Sequence, residues 1–160
     1  MKFFKIIGLS LIFIATSYGK NNENFSQYDS LRIKISQMLI FVIQDAQKVL
    51  EEDSLLEAYA DMHLGGVILF EKNIAKKRSR NQLKALVDEI QSISKIPSFI
   101  AIDEEGGNVS RLKPKYGFHE TKTAKHLGNR NNLDSTYYFA KLTSDLLKEL
   151  GINVNLAPTV

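Results

Sequence analysis

Three carboxylates in a row, Asp103, Glu104 and Glu105, run directly into Gly106 and Gly107, and Arg111 follows shortly after. They close an apolar run, Ser98 to Ile102. Along an extended segment side chains alternate, so Asp103 and Glu105 share one side and Glu104 takes the other. The two glycines let the backbone turn tightly or approach a ligand closely. Arg111, beyond the turn, is placed to fold back as a fork for hydroxyls or a carboxylate. Four chemistries compete for this pattern. A metal site wants more clustered ligands, and His63, His119 and His126 have no ligand spacing. A phosphate loop wants bare backbone amides, and "EEGG" is no G-x-x-x-x-G-K-[ST]. The other two are a structural acid–arginine pair beside a turn, and a polyol site in which the carboxylate accepts from hydroxyls while the arginine donates to others.

The elements around this segment decide where it sits. "SQMLIFVI" (36–43) reads as a buried strand, with a helix over 31–43 as the competing reading. Residues 52–64 read as a helix capped by Asp53 or Ser54 and ended by Gly65 and Gly66. "GVILF" (66–70) is a second strand, followed by a charged loop whose Lys76, Lys77, Arg78 and Arg80 are read as solvated. Ser79 is the expected cap of a helix with Leu83, Leu86, Val87, Ile90 and Ile93 on one stripe. Pro97 closes it, and 98–103 is the third strand. A Lys-, Gly- and Asn-rich loop runs to about residue 133. Phe139, Leu142, Leu146 and Leu150 mark another helix, Gly151 ends it, and 152–158 is a fourth strand. Strands that are continuous apolar runs, alternating with helices, predict an α/β fold with a parallel sheet covered on both faces. Asp103 then lies at the carboxyl end of a strand, where such folds bind ligands.

Residues 1–19 read as a secretory signal: Lys2 and Lys5 lead an apolar stretch, Ile6 to Ala15, with small residues at Ser17 and Gly19. The expected division is a signal peptide over 1–19, a linker over 20–30 and the folded part over 31–160. Lys2 and Lys5 carry two of the three net positive charges, so the basic balance is no nucleic-acid footprint. With no cysteine there is neither disulfide nor thiolate chemistry. The expectation is an exported bacterial protein, periplasmic or secreted, with no stable membrane span after signal cleavage and no cofactor.

"SQMLI" (36–40), "GGVILFEKN" (65–73), "IAIDEEGGNVSRL" (100–112) and "LGINVNLAPTV" (150–160) together resemble the N-terminal domain of glycoside hydrolase family 3. The resemblance is strongest to its bacterial β-N-acetylglucosaminidases, which trim peptidoglycan fragments. It implies a (β/α)8 barrel of the TIM type, of which this chain holds the first half. It implies that Asp103 and Arg111 bind hydroxyls of the non-reducing sugar in the −1 subsite, and that Gly106 and Gly107 shape the turn. Glu105 matches the family's glutamate. Glu104 stands where glutamine is commoner, Asn108 where arginine is frequent, and Ser36 where glycine often stands. The proline usual after the glycine-rich loop is absent from "KYGFHETKTA".

The family hydrolyses glycosidic bonds with retention, using an aspartate from a late strand and, in this branch, an Asp–His pair on a loop. No matching segment occurs in the 160 residues, and His119 and His126 lie in no such motif. Retention needs two carboxyl groups about 5–5.5 Å apart on either side of the bond. Asp103 and Glu105, on one short segment, do not flank a sugar. A full barrel takes about 250 residues. The expectation is therefore a truncated hydrolase acting on an amino-sugar glycan or peptidoglycan fragment, with part of the sugar subsite and no catalytic group on this chain. A non-catalytic sugar-binding half-barrel, and a β-glucosidase or β-xylosidase of the same family, stay open.

Overall fold

The computed structural model describes residues 25–43 and 62–159. The stretch read as a signal peptide (1–19) and nearly all of the helix expected at 52–64 lie outside the described residues. Two compact units are distinguished, Met1–Arg32 and Ile33–Val160. The described part of the first is helical: α1 starts at Phe25 and runs to Ser36. The polar stretch read as a linker is therefore helical from Phe25 on. Backbone bonds from Gln37 to Ile33 and from Met38 to Ile35 close the last turn. This shortens the first strand, expected over 36–43, to β1 (Ile40–Val42). The competing helical reading holds for the segment's start and the strand reading for its end.

The second unit is built on a four-stranded sheet of β1, β2 (Gly66–Leu69), β3 (Phe99–Ile102) and β4 (Val154–Asn155). All neighbours are parallel and the spatial order is the chain order, β1-β2-β3-β4. Sequential parallel order without reversal is the arrangement from which a barrel is made. The shortest strand, β4, is extended by a side chain. Asn153 accepts from the Ile100 amide at 2.8 Å and donates to the Ser98 carbonyl at 3.0 Å. Gln91 grips the same carbonyl at 2.9 Å and the Ser98 amide at 3.1 Å, so the entry to β3 is fixed from both sides.

The core lies between the sheet and two helices, α2 (Ser79–Ile93) and α4 (Leu133–Leu150). Val67, Leu69 and Ile100 are fully buried, as are Leu83 and Ile90 from α2 and Leu150 from α4. Burying each such side chain stabilises by about 1.5–3 kcal/mol. The expected α2 stripe is confirmed at Leu83, Leu86, Val87 and Ile90, which are all buried, while Ile93 packs against the core from its edge. On α4, Leu146 and Leu150 are buried, and Gly151 ends the helix in the left-handed conformation.

Three expectations are corrected. Ser79 does not cap α2: the cap is Arg78, left-handed at φ 52°, and Ser79 Oγ donates to the Ala75 carbonyl at 2.6 Å. The loop expected to run to residue 133 contains a short helix, α3 (Ala124–Arg130), whose cap Thr123 accepts from the His126 amide. The strands are not all covered: β1 exposes Ile40, Phe41 and Val42 at 45, 41 and 47%. An edge strand has one neighbour only, so its apolar character is no guide to its burial.

Candidate functional site

Parallel strands deliver their next residues to one rim of the sheet. Phe70 and Glu71 follow β2, Asp103 to Glu105 follow β3, and β4 ends at Asn155. Asn155 ties two of these segments together: its side chain accepts from the Glu104 amide at 3.0 Å and donates to the Glu104 carbonyl at 3.2 Å. The chain then doubles back. The Glu105 amide donates to the Val109 carbonyl at 2.9 Å, and Gly106 and Gly107 turn with φ of 82° and 60°. A Cβ on Gly106 would lie 2.6 Å from the Lys122 carbonyl, so the turn needs glycine for both shape and room.

The turn returns Arg111 to Asp103. Arg111 Nη2 donates to Asp103 Oδ2 at 3.0 Å, with side chains 22% and 24% exposed. The guanidinium also lies over the Phe70 ring, 5.4 Å from its centroid. Its Nε is buried and finds no acceptor among the described residues. An acceptor and a donor therefore stand side by side, partly open to solvent, above an aromatic ring. That arrangement suits two adjacent hydroxyls of a sugar, one donating to the carboxylate and the other accepting from the guanidinium.

The middle carboxylate does something the sequence reading did not assign. Glu104 is 4% exposed, on the opposite side from Asp103 and Glu105, as alternation along the strand requires. One carboxylate oxygen accepts from the amides of Arg111 and Leu112 at 2.8 and 2.9 Å. The other accepts from the hydroxyls of Ser110 and Thr121 at 2.7 and 2.9 Å. Four donors satisfy a buried anion, which would otherwise be costly to desolvate. Glu105 points outward and accepts from the Thr159 amide and hydroxyl at 2.9 and 2.7 Å, which holds its carboxyl below the usual range.

A second cluster, also missed, joins the loops after β2 and β3. Glu71 accepts from Lys113, Lys115 and the Tyr116 hydroxyl. Lys113 first, then Lys115, pull its carboxyl down from 4.5 to about 2. A carboxyl lowered by folding stabilises the fold fully above its unfolded value of 4.5, and the gain disappears as pH falls towards 2. Urea unfolding is expected to show this acid loss between pH 4.5 and 2, and Glu71→Gln is expected to flatten the slope there. An unchanged slope in the variant would contradict the assignment. A shallow depression of about 360 Å3 lies beside the cluster, lined by Ser110, Lys113, Lys115 and Glu120 among others. It contains neither Asp103 nor Arg111, whose paired donor and acceptor make the stronger site.

Comparison with known proteins bears on this geometry. Residues 30–160 match the description "Glycosyl hydrolase family 3 N terminal domain". The chain is 36% identical over 120 residues to a β-hexosaminidase A of Pseudoalteromonas piscicida, covering 66% of this chain and 18% of that protein. It is 30% identical over 126 residues to a β-hexosaminidase of Idiomarina loihiensis, covering 76% and 36%. Among solved structures it superposes on a family 3 β-N-acetylglucosaminidase from Paenibacillus sp. str. FPU-7, with TM-score 0.71, 30% identity and coverage of 80% and 24%. It also superposes on NagZ of Neisseria gonorrhoeae in complex with N-trifluoroacetyl-D-glucosamine, with TM-score 0.58, 26% identity and coverage of 75% and 36%. The chain thus spans well under half the length of these relatives.

Proposed function

We propose a function from one premise: this chain belongs to glycosyl hydrolase family 3, through the family's N-terminal domain. Its α/β fold is that of the TIM-barrel-like domain, in part. The function is hydrolysis of the glycosidic bond of a terminal β-N-acetylglucosamine, on glycans such as peptidoglycan fragments, by a protein exported to the periplasm or beyond. The share of this chain is to hold the non-reducing sugar. The observation that carries the reading is the Asp103–Arg111 pair at the end of β3, stacked on Phe70, in a chain of this family.

Bond cleavage is assigned elsewhere in the full enzyme. Among the described residues, the carboxylates near Asp103 are committed: Glu104 to four donors, Glu105 to Thr159, Glu71 to Lys113, Lys115 and Tyr116. None is available as the second carboxyl of a retaining mechanism. The chain is expected to bind N-acetylglucosamine, seen by calorimetric titration, and to release no nitrophenol from an aryl N-acetyl-β-glucosaminide. Turnover above a blank would overturn the division of labour. Absence of binding would overturn the sugar site.

A further inference from the structure

We infer that Glu104 is the positioning residue for Arg111: it holds the main chain of Arg111 while its neighbour Asp103 holds the guanidinium, so two consecutive residues grip opposite ends of one arginine. The inference rests on the sugar-site reading for its functional meaning and on geometry for its substance. A single oxygen of Glu104 accepts from the amides of Arg111 and Leu112. Leu112 is fully buried, so these bonds fix both the place where the chain passes and its orientation there. Asn155 clamps the amide and carbonyl of Glu104 itself, so the grip is anchored to β4 rather than to the loop. Without it, the Arg111 end of the turn would rest on the Glu105–Val109 main-chain bond further back, on the Phe70 ring and on the partly solvated ion pair at 3.0 Å. A partly solvated pair of this kind holds geometry less firmly than bonds to a buried carboxylate do.

The donor set also fixes what residue 104 must offer. Two of the four donors are main-chain amides, which can only donate; the other two are hydroxyls, which can also turn and accept. A glutamine keeps an oxygen for the amides and an NH2 for the hydroxyls. A leucine of similar volume leaves both amides unpaired. Glu104, being 4% exposed, is buried away from the site's open side, so its effect on sugar affinity runs through the groups it positions, Arg111 first.

Three variants of the whole chain separate positioning from bulk stability: Glu104→Leu, Glu104→Gln, and Ser110→Ala with Thr121→Val, which removes only the hydroxyl half. Two readouts apply. One is the dissociation constant for N-acetylglucosamine. The other is the Arg111 side-chain NH signal in 15N NMR, which reports whether the guanidinium is held. Glu104→Leu is expected to lose the held signal and to bind about tenfold more weakly or worse. Glu104→Gln and the hydroxyl pair are expected to keep the signal and bind within about threefold of the parent, although the pair melts lower. If Glu104→Leu does not fold, Glu104→Asp keeps the charge but withdraws it by one methylene. It is expected to lose the signal and at least about fivefold in affinity. A held Arg111 signal in Glu104→Leu or Glu104→Asp would overturn the inference, and so would a loss as complete in the hydroxyl pair. If the parent chain binds no N-acetylglucosamine, the sugar reading falls, and the Arg111 signal alone still decides the role of Glu104.

Discussion

Asp103→Ala is expected to weaken N-acetylglucosamine binding about 100-fold. Asp103 is the only acceptor contacted by the Arg111 side chain among the described residues. Its removal has two consequences at once. The sugar loses the oxygen that accepts from one hydroxyl, and Arg111 loses the partner that aims it over Phe70. Losing a charged hydrogen-bond partner costs about 1.5–3 kcal/mol, and every 1.4 kcal/mol is tenfold in affinity. Asp103→Asn keeps the shape and one oxygen but not the charge, and is expected to lose about tenfold. Both proteins should melt close to the parent temperature, because a partly solvated pair contributes little to stability. Calorimetric titration beside a thermal melt checks the pattern. Parent-like affinity in Asp103→Ala would remove the carboxylate from the site.

Gly106→Ala is expected to cost about 2–4 kcal/mol of stability, lowering the melting temperature by about 10 °C. Two effects add. A Cβ in the left-handed conformation is strained by about 1 kcal/mol. The new atom also meets main chain at Lys122, 2.6 Å away, rather than a side chain able to swing aside. Gly117→Ala is the control: its φ is 83°, nearly that of Gly106 at 82°, but nothing lies within 4 Å of its Cβ position. It should show the strain alone. Equal melting temperatures for the two variants would mean that the packing of the turn against Lys122 is not what Gly106 provides. Because this turn returns Arg111 to Asp103, Gly106→Ala should also weaken sugar binding, whereas Gly117→Ala should not.

Much of this was legible in the sequence, for reasons that differ from element to element. Strands β2 and β3 are unbroken apolar runs between clear stops, so their place and parallel character were readable. The α2 stripe was readable because four of its five apolar residues fall on one buried face. The pairing of Asp103 with Arg111 was readable because a two-glycine turn separates them. The start of β1 was not, since 31–43 is apolar enough for helix or strand and α1 takes it as far as Ser36. Helix α3 is brief and polar; its only marks were Thr123 before it and Asn131 after it, both seen in hindsight as caps. The Glu71 cluster has no local signal at all, because Lys113 lies 42 residues away. Glu104 had one: alternation alone turns it away from Asp103 and into the protein, and a buried carboxylate must find donors.

The central claim, that Asp103 and Arg111 form an amino-sugar subsite, is tested most directly by a crystal structure of the chain grown with N-acetylglucosamine. The expected result is a sugar ring beside Phe70, with one hydroxyl within hydrogen-bond distance of the Asp103 carboxylate and another within reach of the Arg111 guanidinium. A sugar seated instead in the depression lined by Ser110, Lys113 and Glu120, or no sugar at the end of β3 at saturating concentration, would contradict it.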